Sequence, residues 1–135
     1  MIALDTSAII AIAKNEPEQE PFTDFIAINR VIIGTPVLVE ARIVLSTVLG
    51  ADAEAFIDDL LRRPRIQPVG FTLEMYRLAA DAFMRYGKGR GQAAGLNFGD
   101  CLSYAVAKAH DVALLFKGRD FANTDVKVAF PISTP

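Results

Sequence analysis

Four carboxylates occupy positions where they could do chemistry. Asp5 directly follows the apolar run Ile2-Ala3-Leu4. Glu40 sits inside the apolar stretch from Thr35 to Leu49. Asp100 closes Leu96-Asn97-Phe98-Gly99-Asp100, and Asp120 lies in Phe116-Lys117-Gly118-Arg119-Asp120-Phe121. Each has a plainer reading. Asp5 and Asp120 can be turn or cap residues, and Asp100, three residues after Asn97, fits a variant of the capping box. Glu40 is harder to set aside, because its neighbours on one helical face are Pro36, Val37, Ile43 and Val44. A carboxylate among apolar groups loses hydration and needs a compensating partner. Arg42 is two residues away and points in another direction on a helix, so a bound cation or a more distant base is the better partner. Gly99 at a helical position costs about 1 kcal/mol against Ala, which suggests close approach of backbone or ligand there.

Together these residues say more than any one does. Carboxylates that converge in a dry crevice cannot all stay ionised without a cation. An all-oxygen donor set suits Mg²⁺, with Mn²⁺ as a substitute, rather than zinc or copper. Such a site activates a water and clamps a phosphate for in-line displacement.

The elements that must bring the acids together follow from the apolar pattern. Strands are expected at residues 2–4, 31–33, 66–69, 113–116 and 126–130. The third contains Pro68 and belongs at a sheet edge. Helices are expected from Thr6 or Ser7, as caps, to about Lys14, and from about Glu20 to Asn29. Further helices run from Thr35-Pro36 to Leu49, Asp52 to Arg63, Thr72 to Tyr86 and Asn97 to Ala109. Gly87 to Leu96 reads as a flexible basic loop. Alternating strands and helices predict a single α/β domain over residues 1–135, with a five-stranded parallel sheet covered on both faces. Ligands then bind beyond the carboxyl ends of the strands. If the first and fourth strands are neighbours, the acids converge there.

Composition narrows the classes. The chain has 135 residues, 52% hydrophobic and 22% charged, enough for one domain with a proper core. One cysteine and one histidine exclude an internal disulfide, a Cys-rich zinc site and a His-pair nuclease. His110 reads as a helix C-cap. No uncharged run exceeds nine residues, and the first base is Lys14, so neither a membrane span nor a signal peptide is expected and the setting is cytoplasmic. Net charge is −2, yet residues 1–61 hold three bases and ten acids while residues 62–135 hold eleven bases and six acids. That asymmetry is compatible with a nucleic-acid surface. Lys88, Arg90, Lys117 and Arg119 are the candidate phosphate contacts, with ordinary solvated charge as the alternative.

Other users of an N-terminal Asp fit poorly. A haloacid-dehalogenase-type site needs a second Asp where Ser7 stands. A receiver domain needs an Asp after the third strand, where Pro68-Val69-Gly70 has none. The Gly87–Gly91 run follows a helix rather than a strand, so it is not a nucleotide-binding turn.

The segments Ala3-Leu4-Asp5-Thr6-Ser7-Ala8, the Glu40 helix, Gly95-Leu96-Asn97-Phe98-Gly99-Asp100-Cys101 and Leu114 to Phe121 with Thr124-Asp125 together resemble the PIN-domain family. The resemblance is closest to the VapC-type toxins of bacterial type II toxin–antitoxin pairs. It implies a Mg²⁺-dependent endoribonuclease in which Asp5, Glu40, Asp100 and Asp120 hold the metal. Thr6 or Ser7 would support the first acid from behind, and Asp125 is a further supporting acid and an alternative fourth one. It also implies a homodimer and inhibition by a VapB-type antitoxin. Relatives often carry Asn or Asp where this chain has Arg119. The competing readings are a catalytically silent PIN-like binding module and a small-molecule phosphohydrolase using Asp5.

Overall fold

The computed structural model describes residues 1–91 and 93–130. Four short aliphatic runs form the strands β1 (Ile2–Leu4), β2 (Val31–Gly34), β3 (Ile66–Val69) and β4 (Ala113–Leu115). They pair entirely in parallel, in the order β3-β2-β1-β4. Successive side chains of a strand face opposite sides, and both sides are apolar here. Ile2, Leu4, Val31 and Ile33 enter one core, while Ala3, Ile32 and Leu114 enter the other. Pro68, which cannot donate to a ladder, is tolerated because β3 is an edge strand.

The first core is closed by α1 (Thr6–Ala13), α2 (Gln19–Ala27), α3 (Thr35–Leu49) and α4 (Asp52–Leu61), through residues such as Ile9, Phe22, Val37 and Leu45. The second is closed by α5 (Leu73–Tyr86) and α6 (Phe98–Ala109), through Met75, Ala82, Tyr104 and Val106. The chain leaves β1 towards β2 on one side, and β4 joins β1 from the other. The carboxyl ends of β1 and β4 therefore flank the point where the winding reverses, the usual place for a ligand crevice.

Three expectations need correction. The sheet has four strands, not five. Segment 126–130 adds only one parallel bridge, Leu114 to Val128, with Leu114 N–H donating to Lys127 O at 2.8 Å and Ala129 N–H to Leu114 O at 3.0 Å. β4 is three residues long, so its outer edge gives a ladder little length to grow along. The first helix is capped by Asp5 itself, ahead of Thr6 and Ser7. The helix at Thr35 starts from Gly34 without a side-chain cap, so Thr35 is already helical. His110 does take the C-cap of α6.

Gly34 marks a tight joint between layers. A Cβ at Gly34 would lie 2.7 Å from Cγ2 of Val106, where β2 turns into α3 beneath α6. Overpacking of this kind costs roughly 1–3 kcal/mol. Gly34→Ala is thus expected to lower the free energy of unfolding from urea titration by that amount, and an unchanged value would show that α6 yields freely here.

Candidate active site

β1 ends at Leu4, and Asp5 N–H donates to Leu115 O at 2.9 Å, so the first acid begins where β1 and β4 lie side by side. Asp5 is only 3% exposed. Its Oδ2 accepts from Ser7 N–H at 3.0 Å and from Ser7 Oγ at 2.6 Å. The same Ser7 hydroxyl accepts from Lys117 N–H at 2.9 Å, which ties the exit of β4 to the first acid through one oxygen. The other carboxylate oxygen, Oδ1, is buried and has no hydrogen-bond partner. Burial pushes the Asp5 pKa up; Ser103, Ser7 and the Ser7 backbone pull it back, and the charge of Glu40 pushes it up further.

Glu40 comes from the second turn of α3. Thr6 Oγ1 donates to its Oε1 at 2.5 Å, and its Oε2 lies where a Cβ of residue 99 would fall. Only glycine leaves that space, which accounts for Gly99 inside α6. Thr6 and Ser7 thus divide the work: Ser7 holds Asp5, Thr6 holds Glu40. Arg42 turns away to Glu54, with Nη2 3.4 Å from Oε2. The apolar neighbours of Glu40 are not all buried, however. Ile43 is 63% exposed, and Glu40 opens onto a groove of about 1270 Å³ lined by Val39, Ile43, Tyr76, Phe83 and Phe98.

Asp100 keeps its capping role. Asn97 N–H donates to its Oδ2 at 3.1 Å, and Asp100 N–H donates to Asn97 Oδ1 at 2.8 Å. The cap does not use up the charge. Burial foremost, and then the charges of Asp5, Asp120 and Glu40, push Asp100 up to about 7 against the lowering bond from Asn97. Four acids on four separate segments therefore feel one another. Asp120 is the exposed member, in the turn after β4. Among the described residues no three His, Cys, Asp or Glu side chains are drawn to a common point at ligand distance. The unpartnered Oδ1 of Asp5 and the raised Asp100 fit a hard divalent cation that takes oxygen ligands.

The remaining candidates separate. Asp125 accepts from Tyr104 Oη at 2.6 Å and from Lys108 Nζ at 3.3 Å. These bonds and the Lys108 charge hold its carboxyl below its usual range despite some burial. It is engaged with α6 rather than with the other acids. Lys117 Nζ sits 2.8 Å from Glu16 and 3.3 Å from Glu18, so it pins the turn between α1 and α2 instead of projecting as a phosphate contact. Lys88, Arg90 and Arg119 are exposed. Ser103, 1% exposed and three residues beyond Asp100, escaped the sequence reading. Its signal was a hydroxyl, one turn after an acid, in the otherwise apolar stretch 101–107.

This geometry can be set beside known proteins. The PIN-domain profile matches residues 2–127. The chain belongs to the PIN-domain family. Among PIN proteins it is similar to "Ribonuclease VapC30" of Mycobacterium tuberculosis, 36% identical over 132 residues that cover 96% of this chain and all of that one. It is thus a VapC-type PIN protein. The fold is shared with VapC20 of M. tuberculosis, described as a sarcin-ricin loop cleaving toxin, at TM-score 0.75 and 17% identity over 93% of this chain and 96% of that one. A toxin–antitoxin complex from Klebsiella pneumoniae contains the same fold, at TM-score 0.70 and 13% identity over 98% of this chain and 100% of that one. No helix among the described residues of this PIN domain is long and apolar enough to cross a membrane.

The raised Asp100 has a consequence for stability. Its ordinary value is 3.8, and in the folded, ion-free protein it is about 7. The folded state therefore holds a proton that the unfolded state has released, so stability falls as pH rises between those values. Melting in EDTA is expected to drop from pH 5 to pH 8, and Asp100→Asn should flatten the profile. An equally steep decline in the variant would place the titration elsewhere.

Proposed function

We propose that this chain is a Mg²⁺-dependent endoribonuclease, the toxin of a type II toxin–antitoxin pair. Mn²⁺ would substitute for Mg²⁺. The observation that carries the reading is that Glu40 reaches both Thr6, beside Asp5, and Gly99, beside Asp100, next to an Asp5 oxygen that lacks any partner. Its membership of a family whose curated relatives are ribonucleases supplies the reaction class.

In this reading Asp5 and Asp100 are the principal metal-holding groups. When bound, the cation supplies a Lewis acid for the phosphodiester and a nucleophile at neutral pH. The protein's own part is to keep the acids apart but aimed. Ser7 fixes one Asp5 oxygen, Thr6 fixes one Glu40 oxygen, and Asn97 fixes one Asp100 oxygen, leaving the second oxygen of each carboxylate for the site. Asp120 sits exposed at the entrance. Arg119 beside it, with Lys88 and Arg90 on the loop after α5, offers positive charge for the RNA backbone.

A VapB-type antitoxin is the proposed inhibitor, and likeness to a toxin–antitoxin complex supports it. An acidic pocket of this kind attracts a guanidinium, which pairs with carboxylates in a bidentate way. The homodimer implied by the family requires an apolar face. The groove between α3 and α5 provides one, with Ile43 63%, Tyr76 59% and Phe98 77% exposed around it. A protruding ring beside a groove on one surface is the self-complementary arrangement that a two-fold interface uses.

Asp5→Ala or Asp100→Ala should lower Mg²⁺-dependent RNA cleavage by at least about a hundredfold, in line with loss of a principal metal-holding group, while circular dichroism stays unchanged. EDTA should abolish wild-type cleavage. Full cleavage by Asp100→Ala at limiting Mg²⁺ would refute the metal site. Ile43→Glu should shift sedimentation from dimer to monomer, and a dimer that survives it uses another face.

A further inference from the structure

Residues 101–107 of α6 form one of the best-buried stretches of the chain, apolar except for Ser103 and the hydroxyl of Tyr104. Tyr104 places its hydroxyl on Asp125. Ser103 has no such outlet. It is 1% exposed, and its Oγ has no hydrogen-bond partner of good geometry, not even the carbonyl one turn back that a helical serine commonly uses. A buried hydroxyl left this way is destabilising, so its presence calls for a reason.

The reason lies across the crevice. The other orphan of the site is Oδ1 of Asp5, also buried and also unpartnered. Gly99, one turn before Ser103 on the same face of α6, lies against Glu40, and Glu40 is bonded by Thr6 beside Asp5, so this face of α6 looks onto the Asp5 end of β1. The Ser103 hydroxyl is near enough to Asp5 to be the strongest influence opposing its burial, ahead of Ser7, although the pair stops short of a fully formed hydrogen bond. A carboxylate oxygen has two lone pairs. One can accept from Ser103 while the other points into the site.

We propose that Ser103 is a positioning residue, whose hydroxyl donates to Oδ1 of Asp5 and aims that oxygen at the cation. The inference rests on the metal-dependent reading above. It gives α6 two tasks three residues apart on one helical face: Asp100 acts directly, and Ser103 acts through Asp5. Ser7 then orients one Asp5 oxygen from the chain that follows it, and Ser103 orients the other from the opposite layer. Groups that orient ligands in this way typically change metal affinity by 10–100-fold.

The test is Ser103→Ala in the full chain, with two readouts. Titration calorimetry with MgCl₂ should show affinity weakened by about tenfold or more. Melting in EDTA should shift little, because the bond to Asp5 is not fully formed there and alanine keeps the serine's Cβ in the layer. Ser103→Cys, close in size but a weak donor, should fall between alanine and wild type in Mg²⁺ affinity. Unchanged Mg²⁺ affinity in Ser103→Ala overturns the proposal. So does weakened affinity accompanied by a lower melting temperature in EDTA, since that marks a packing role. A wild-type chain with no affinity for Mg²⁺ would instead overturn the metal-dependent reading itself.

Discussion

A negative charge buried at the end of a parallel sheet is the constraint to which the rest of this structure answers. Asp5 is 3% exposed, and such a group is strongly disfavoured in its ionised form unless donors surround it. The chain supplies them from three directions. Asp5 caps α1, so the helix's free N–H groups and its dipole favour the charge. Ser7 gives two donors to one oxygen. Ser103 approaches the other from the opposite layer. One oxygen, Oδ1, is still without a fully formed hydrogen bond.

The four acids repel one another, and the scaffold keeps them near. Each arrives on a different element: Asp5 after β1, Glu40 on α3, Asp100 on α6, Asp120 after β4. The parallel pairing of β1 with β4 sets the first and last at one end of the sheet. Two glycines let the layers close. Gly34 admits Val106 of α6, and Gly99 admits the carboxylate of Glu40. Because the helices are held by two apolar cores, the repulsion cannot be relieved by simple separation. It shows as a raised Asp100, and a divalent cation of the kind proposed above would relieve it.

The ion pairs away from the site serve its geometry. Lys117 is held by Glu16 and Glu18 while its backbone N–H reaches Ser7, so the turn after α1 and the exit of β4 move as one piece. Asp125 does the equivalent for the segment after Asp120, through Tyr104 and Lys108 of α6. Single exposed pairs contribute little to stability. Their effect here is to limit how far the segments carrying Asp5 and Asp120 can drift, which bears on ligand geometry more than on folding free energy.

Much of this was legible in the residues alone. Strand and helix positions follow from apolar periodicity, and the parallel sheet follows from their alternation. The four acids stood out because they end strands or interrupt apolar helix faces, and Gly99 stood out as a helical glycine. These are local properties, set by the backbone preferences and burial of neighbouring residues. Other features depend on contacts between residues distant in the chain. The fifth strand shrank to one bridge because β4 offers so short an edge. Thr6 went to Glu40 because α3 packs against α1. Lys117 and Asp125 found partners that sequence spacing does not place beside them. Ser103 was invisible as a functional residue, since a serine in a helix acquires meaning only when the layer opposite brings an unpartnered carboxylate oxygen to it. The sequence by itself determined which residues carry charge and which segments must be buried; the tertiary structure decided which buried charge meets which donor, because that pairing is made across layers and no local rule encodes it.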